Sequence, residues 1–255
     1  MSKPRVLFID IETGLHTVKT FGLRNQFISP KQIVTPSRVL CFAARWEGDE
    51  TMQFYSEWGD GADYMIERAH ELMDSADAIV TYNGVQFDCK HLNREFVQRG
   101  WEMPSEYSDI DLLKTVRKRF AFASNKLDYI CQELGLDVKV PTGGIQLWMD
   151  IDDGVHEAQS LMEEYNCTDV AIMEELYKTI QGWTVTQFNR GLFADDTNSD
   201  TPICPSCGSD HVTRNGVKRT KLRTYQRFQC QDCGAALRGR KSLRNENDER
   251  VVVSL

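Results

Sequence analysis

Nowhere in the chain do about 18 apolar residues follow one another, so no segment is suited to crossing a bilayer as a helix. The first strand is expected to begin by about residue 5, which leaves no room for a signal peptide before it. Thr142-Gly143-Gly144 is too short to make a phosphate-cradling loop and reads as a turn. A disulfide framework is missing as well. Cys41, Cys89, Cys131 and Cys167 are scattered through apolar segments, where a free cysteine behaves as a small buried hydrophobe. These absences describe a soluble chain of the cytoplasm with no membrane partner. Its 255 residues include enough aliphatic and aromatic side chains for one sizeable domain plus a small appendage.

The formal charge of -8 conceals an uneven distribution. Residues 196–255 carry 11 Lys+Arg against 7 Asp+Glu, a net +4, whereas the residues before them carry 19 against 31, a net -12. An acidic larger part joined to a basic end points to a polyanion held by the basic end.

The rest of the chain is organised around Arg5-Val6-Leu7-Phe8-Ile9-Asp10-Ile11-Glu12-Thr13, which reads as a buried strand ending in two acids. Successive strand side chains point to opposite faces, so Asp10 and Glu12 share one face and Ile9 and Ile11 the other. Two carboxylates held that close repel unless a proton or a cation intervenes, and a metal site is the natural resolution.

A long insertion follows, about 14–37, whose Phe21, Leu23, Phe27 and Ile33 argue against disorder and suit a cover over the acids. Residues 38–46 and 51–56 read as neighbouring strands joined at Gly48-Asp49. Helical spacing of Met65, Ile66, Ala69, Leu72 and Met73 predicts a helix over 62–73. Residues 78–82 form a short strand running into the Asn83-Gly84 turn, and Phe87-Asp88 opens a helix reaching about Gln98. Asp88 therefore stands where a strand hands over to a helix, the end of an α/β sheet at which ligands bind. A further helix is expected to start at Asp109-Ile110-Asp111, its acids favouring the helix N-terminus. Another helix, through Leu127, Ile130, Cys131 and Leu134, ends at Gly135. The last long helix is expected over about 157–180, with Tyr165 and Asp169 one turn apart on one face. An acid on an inward-facing helix needs a partner, and a metal shared with Asp10, Glu12 and Asp88 supplies one.

Asp10-Ile11-Glu12-Thr13, Tyr82-Asn83-Gly84-Val85-Gln86-Phe87-Asp88 and Tyr165-Asn166-Cys167-Thr168-Asp169 together resemble the three motifs of the DEDD superfamily of 3'-5' exonucleases. The third takes the Y-x-x-x-D form, which is that of the tyrosine subclass; the alternative form has His five positions before the last acid, where this chain has Glu164. The resemblance spans about residues 5–180. It implies an α/β, ribonuclease-H-like mixed sheet flanked by helices, with Asp10, Glu12, Asp88 and Asp169 holding two Mg2+ or Mn2+ ions and Tyr165 orienting the attacking water. All-oxygen carboxylate sites suit those ions on chemical grounds too. The layout as a whole is similar to ribonuclease-H-like exonucleases encoded by bacteriophages, for which the compartment is the host cytoplasm. Phe21, Leu23 and Asn83 are candidates to stack on or read the terminal nucleotide.

After a polar linker over 184–200, Cys204-Pro205-Ser206-Cys207-Gly208 and Cys230-Gln231-Asp232-Cys233-Gly234 form two knuckles. Four thiolates so spaced make a closed site for one structural Zn2+ and define a zinc ribbon over 201–244, followed by a tail over 245–255. His211 is left at the surface, and Val251-Val252-Val253 is a candidate edge strand. Between the knuckles, Arg219, Lys221, Arg223, Tyr225 and Arg227 interleave bases with an aromatic on a hairpin, a composition suited to tracking a nucleic-acid backbone. The domain expectation is thus 1–183 for the exonuclease fold and 201–244 for the ribbon. Partners are nucleic acid, above all single-stranded DNA or 3' ends, with a replication or repair protein as a further candidate. Two alternatives stay open: an RNA-trimming exonuclease, and a zinc-ribbon binding or recruitment protein whose nuclease domain is silent.

Overall fold

The structure is a computed structural model of the chain and describes residues 3–22, 24, 27–136, 141–194 and 201–243. Among them no helix is long and apolar enough to cross a membrane. The chain divides into two compact units: Arg5–Leu176, and the described residues of Met1–Pro4 with Tyr177–Leu255.

The first unit begins with β1 (Val6–Thr13), whose leading residues are apolar on both faces and are buried on both. In the insertion, β2 (Thr17–Val18) pairs with β3 (Ile33–Thr35) after a short 3-10 turn at Pro30–Gln32, where the sequence suggested only a loop. β4 (Val39–Trp46) and β5 (Gln53–Ser56) form the expected hairpin. Next come α1 (Ala62–Asp74), β6 (Ala78–Thr81) and α2 (Asp88–Gln98). Here the structure corrects the sequence reading: Ser108–Asp111 is a strand, β7, and α3 (Leu112–Arg119) starts only afterwards. The reason is tertiary, since Ser108–Asp111 pairs in parallel with Ala78–Thr81 and that ladder overrides local preference. α4 (Leu127–Leu134) follows as expected, then α5 (Ile145–Asp152), which the sequence did not announce, and α6 (His156–Ile180).

The five-stranded sheet has the order β5-β4-β1-β6-β7, with β1 antiparallel to β4 and parallel to β6. Leu7, Ile9 and Ile11 join Phe42 and Ala44 in packing against the inner sides of α1 and α2. On the opposite face, Leu40 and Cys41 pack with Leu147 and Ile151 of α5 and Met162 of α6. Asp10 and Glu12, out of phase with Ile9 and Ile11, face that second layer, as period two requires.

In the second unit β8 (Val212–Arg219), β9 (Thr224–Cys230) and β10 (Ala236–Ser242) make an antiparallel sheet with β9 in the centre. The hairpin was expected; β10 was not. Residues 184–194 carry a 3-10 turn at Arg190–Leu192, and the Arg190 amide donates to the Pro205 carbonyl at 2.9 Å. Residues 195–200, the tail beyond 243 with Val251-Val252-Val253, and Leu23 lie outside the described residues.

Candidate functional site

β1 outruns its parallel neighbour. β6 pairs with it only as far as Phe8, so the amides beyond have no strand on that side. The Ile11 amide, which lies between the two acids in sequence, donates instead to Asp88 Oδ1 at 3.0 Å. Across the other edge β1 stays laddered to β4, with Glu12 opposite Cys41 and an irregularity between Glu12 and Thr13. Cys41 is a buried thiol pushed well up by burial and by the neighbouring Glu12 and Asp10 carboxylates, which keeps it in its neutral form.

α6 carries the third acid to the same place. Asp10, Glu12 and Asp169 each offer a carboxylate oxygen, and these oxygens lie within 4.8 Å of one another. Asp10 and Glu12 are half-buried, and Asp169 is buried. Asn166, three residues before Asp169 and so on the same face of α6, is fully buried; its Nδ2 donates to Asp10 Oδ2 at 2.8 Å and to the Asp10 carbonyl at 3.2 Å. Asn166 was not among the expected site residues. The available signal was a polar side chain on the inward stripe that carries Met162, Asp169 and Met173.

Asp88 is buried at the start of α2, but its oxygens are not among the three converging carboxylates. Burial pushes its carboxyl from the ordinary 3.8 up to about 6, and the Asp111 charge adds to the rise. Hydrogen bonds from the backbone amides of Ile11 and of Asp88 itself act in the opposite direction. The turn that delivers Asp88 is tightly fixed. Asn83 adopts a left-handed φ of 74°, and its amide donates to Asp111 Oδ1 at 3.0 Å. Asp111 also caps α3 by accepting from the Leu113 amide at 3.1 Å. A Cβ on Gly84 would come within 2.4 Å of the Thr81 side chain, so the close turn needs glycine there.

Tyr165 is half-buried, its ring packed with the Leu147, Ile151 and Met162 cluster. Phe21 is fully exposed and Asn83 partly so; Leu23 lies outside the described residues. The fit to a hard divalent cation rests on the donor set: oxygens from three acids within one coordination sphere of each other, with a fourth acid bonded to the amide between two of them.

The second unit holds the other cluster. Cys204, Cys207, Cys230 and Cys233 present sulfurs within 4.8 Å of one another. Cys204 to Cys233 and Cys207 to Cys230 are each 3.6 Å, far beyond a disulfide bond and close to the roughly 3.8 Å expected across a tetrahedral zinc with about 2.3 Å bonds. Burial acts most strongly on the Cys230 thiol and raises it, yet the backbone amides of Cys233 and Asp232 together with the Cys207 and Cys233 side chains bring it down to about 7, while burial pushes Cys207 up to about 11 and Cys233 up as well. Gly208 and Gly234, each just past the second cysteine of its knuckle, take left-handed φ values of 81° and 72°. The cysteines thus fit zinc. His211 is 71% exposed, with Nδ1 at 3.2 Å from Asp232 Oδ1, and stands apart from the sulfurs. Arg219, Lys221, Arg223 and Arg227 are exposed, while Tyr225 is half-buried with the Arg238 guanidinium 4.3 Å over its ring.

A mixed five-stranded sheet between helices, with acids gathered where β1 meets α6, defines an α/β protein of the ribonuclease-H type. The comparisons agree. The profile of the RNase_H superfamily matches residues 35–181, and the chain belongs to that superfamily. The match starts after β1, so Asp10 and Glu12 lie outside it. Among solved structures, the family B DNA polymerase from the hyperthermophilic archaeon Pyrobaculum calidifontis superposes with a TM-score of 0.53 at 16% identity. The superposition covers 70% of this chain and 25% of the polymerase, so the chain spans about a quarter of that protein's length. No curated protein matches the sequence.

Proposed function

We propose that the chain is a metal-dependent 3'-5' exonuclease of the tyrosine subclass of the DEDD group, acting on single-stranded DNA. The observation that carries this reading is the convergence of Asp10, Glu12 and Asp169 at one end of the sheet, with Asp88 bonded to the amide between the first two. The superfamily membership and the fold shared with a DNA polymerase support it.

Asp10, Glu12 and Asp169 would hold the ions, and Asp88 would complete the set of four acids. When bound, a pair of Mg2+ or Mn2+ ions would activate water and neutralise the charge developing on the leaving 3'-oxygen. Asn166 orients the Asp10 carboxylate through one hydrogen bond to Oδ2 and holds the Asp10 carbonyl through a second, so this acid does not have to be ordered at each encounter. An ordinary phenol titrates near 10, so the role assigned to Tyr165 is to position water through its hydroxyl rather than to act as a base. Phe21, Leu23 and Asn83 are the residues we assign to the terminal nucleotide. In the ribbon over 201–244, Cys204, Cys207, Cys230 and Cys233 hold one structural zinc, and Arg219, Lys221, Arg223, Tyr225 and Arg227 contact the strand.

The test is cleavage of matched 5'-labelled single-stranded DNA and RNA with magnesium, with manganese and with neither. A ladder shortening from the 3' end, lost in Asp10→Ala, Asp88→Ala and Asp169→Ala, is expected. Full cleavage by Asp88→Ala would remove that acid from the site, and a stronger ladder on RNA would reassign the substrate.

A further inference from the structure

The two faces of the ribbon sheet are not equivalent. Arg214 of β8, Phe228 of β9 and Leu237 of β10 are partners in register and so share one face. Arg227 and Arg238, likewise partners, share the other with Tyr225, whose ring Arg238 covers. Both flanking strands bulge opposite the same stretch of β9. Asn215 and Gly216 stand against Arg227 alone, and Gly239, Arg240 and Lys241 stand against Gln226 alone. Bulges bend the strands that carry them and re-aim side chains. The Phe228 face carries a cleft of about 610 Å³.

The lining of this cleft combines two chemistries. Phe228, Leu237 and Ile203 are half-buried and apolar, while Arg214, Arg240 and Lys241 are exposed around them. At Gly239 a Cβ would lie 3.5 Å from Phe228 Cε2, so the missing side chain leaves that edge of the ring open. Residues 201–243 carry nine Lys+Arg against two Asp+Glu. Both acids, Asp210 and Asp232, lie beside His211, and neither lines the cleft.

We propose that this cleft is a binding site for unpaired nucleic acid, in which a base stacks on Phe228 under Gly239 and the flanking phosphates meet Arg214, Arg240 and Lys241. An apolar aromatic floor inside a cationic rim matches a nucleotide, whose base has a π-face and whose backbone is anionic. The ligand class rests on the nucleic-acid reading given above; the site does not depend on cleavage. It also lies on the sheet face opposite Tyr225 and Arg227.

The test is binding of fluorescent oligo(dT) and oligo(U) to the full, zinc-loaded chain without added magnesium or manganese, read by anisotropy. Gly239→Leu fills the cleft from a position where a side chain causes no backbone strain, and Phe228→Leu keeps the floor apolar but removes the ring. Each is expected to weaken binding at least about fivefold, the low end for losing one stacked base. Arg214→Ala should lower the slope of log affinity against log salt by about 0.7, the value of one single-strand phosphate contact. Zinc content checks that each variant is folded, and Phe228→Leu carries the test if Gly239→Leu loses its metal. Wild-type affinity in Phe228→Leu and in folded Gly239→Leu overturns the proposal. Absence of cleavage together with the expected binding pattern would overturn the exonuclease reading alone, and the reverse pattern would overturn only the cleft.

Discussion

Beneath Asp10 and Glu12 lie Leu7, Ile9, Ile11, Phe42 and the inner sides of α1 and α2, a core complete without any ion. Around the four cysteines of the ribbon the fully buried company is Ala235, with Val212 and Leu237 partly buried. In the first unit a framework built by hydrophobic burial holds carboxylates close against their mutual repulsion. In the second the ligands themselves are the core. Convergent side chains, three carboxylates in one unit and four thiols in the other, would therefore play opposite thermodynamic parts: a cation in the acidic unit would relieve repulsion in a fold that already exists, whereas a zinc held by the four cysteines would supply free energy of folding.

The largest effect should come from the ribbon. Cys230→Ser, or zinc removal by a chelator, forfeits a site of the kind worth about 10–16 kcal/mol in zinc-dependent peptides. Hydrogen exchange should show residues 201–243 unprotected while β1, β4 and α6 keep their protection; loss of protection in both units together would break the contrast. Next comes Asp169→Asn, expected to lower cleavage on the order of a thousandfold, because it removes several kcal/mol of charge stabilisation. Without divalent ions the same variant should melt no lower than the wild type, since one of three crowded carboxylates has lost its charge. A clear fall in Tm would mean that the acids support the fold.

Asn166→Ala should cost about 10–100-fold in turnover or in divalent-ion affinity, as loss of a group that orients a ligand does. An unchanged rate would reduce Asn166 to packing. The last effect is one of pH. Because burial raises Asp88 to about 6 from 3.8, the folded chain binds the extra proton and the ion-free protein should lose stability as pH rises between those values. The loss is of order 3 kcal/mol, from a shift of about two units at 1.36 kcal/mol each. Urea unfolding across that range should show the slope in the wild type and not in Asp88→Asn.

Much of this was legible in the sequence because it depends on local period. Asp10 and Glu12 share a face because a strand repeats every two residues, and Tyr165 and Asp169 stack because a helix repeats about every 3.6. The cysteine knuckles announce themselves by spacing. What stayed hidden depends on long-range pairing. Ser108–Asp111 is a strand only because Ala78–Thr81 lies beside it. Asn166 reads as an ordinary polar helix residue until Asp10 is placed against it. The third ribbon strand, Ala-Leu-Arg-Gly-Arg-Lys-Ser, has its register broken by a bulge, and the cleft it borders exists only once Arg214, Phe228 and Leu237 are aligned across three strands.

The most direct measurement of the central claim is Mn2+ binding to the full chain with its zinc retained, followed by electron paramagnetic resonance in the wild type, Asp10→Ala, Asp169→Ala and Lys218→Ala. Binding in the wild type and in Lys218→Ala, with loss in both acid variants, is the result predicted for a carboxylate metal site set on a finished fold. Equal Mn2+ binding in all four proteins would contradict it.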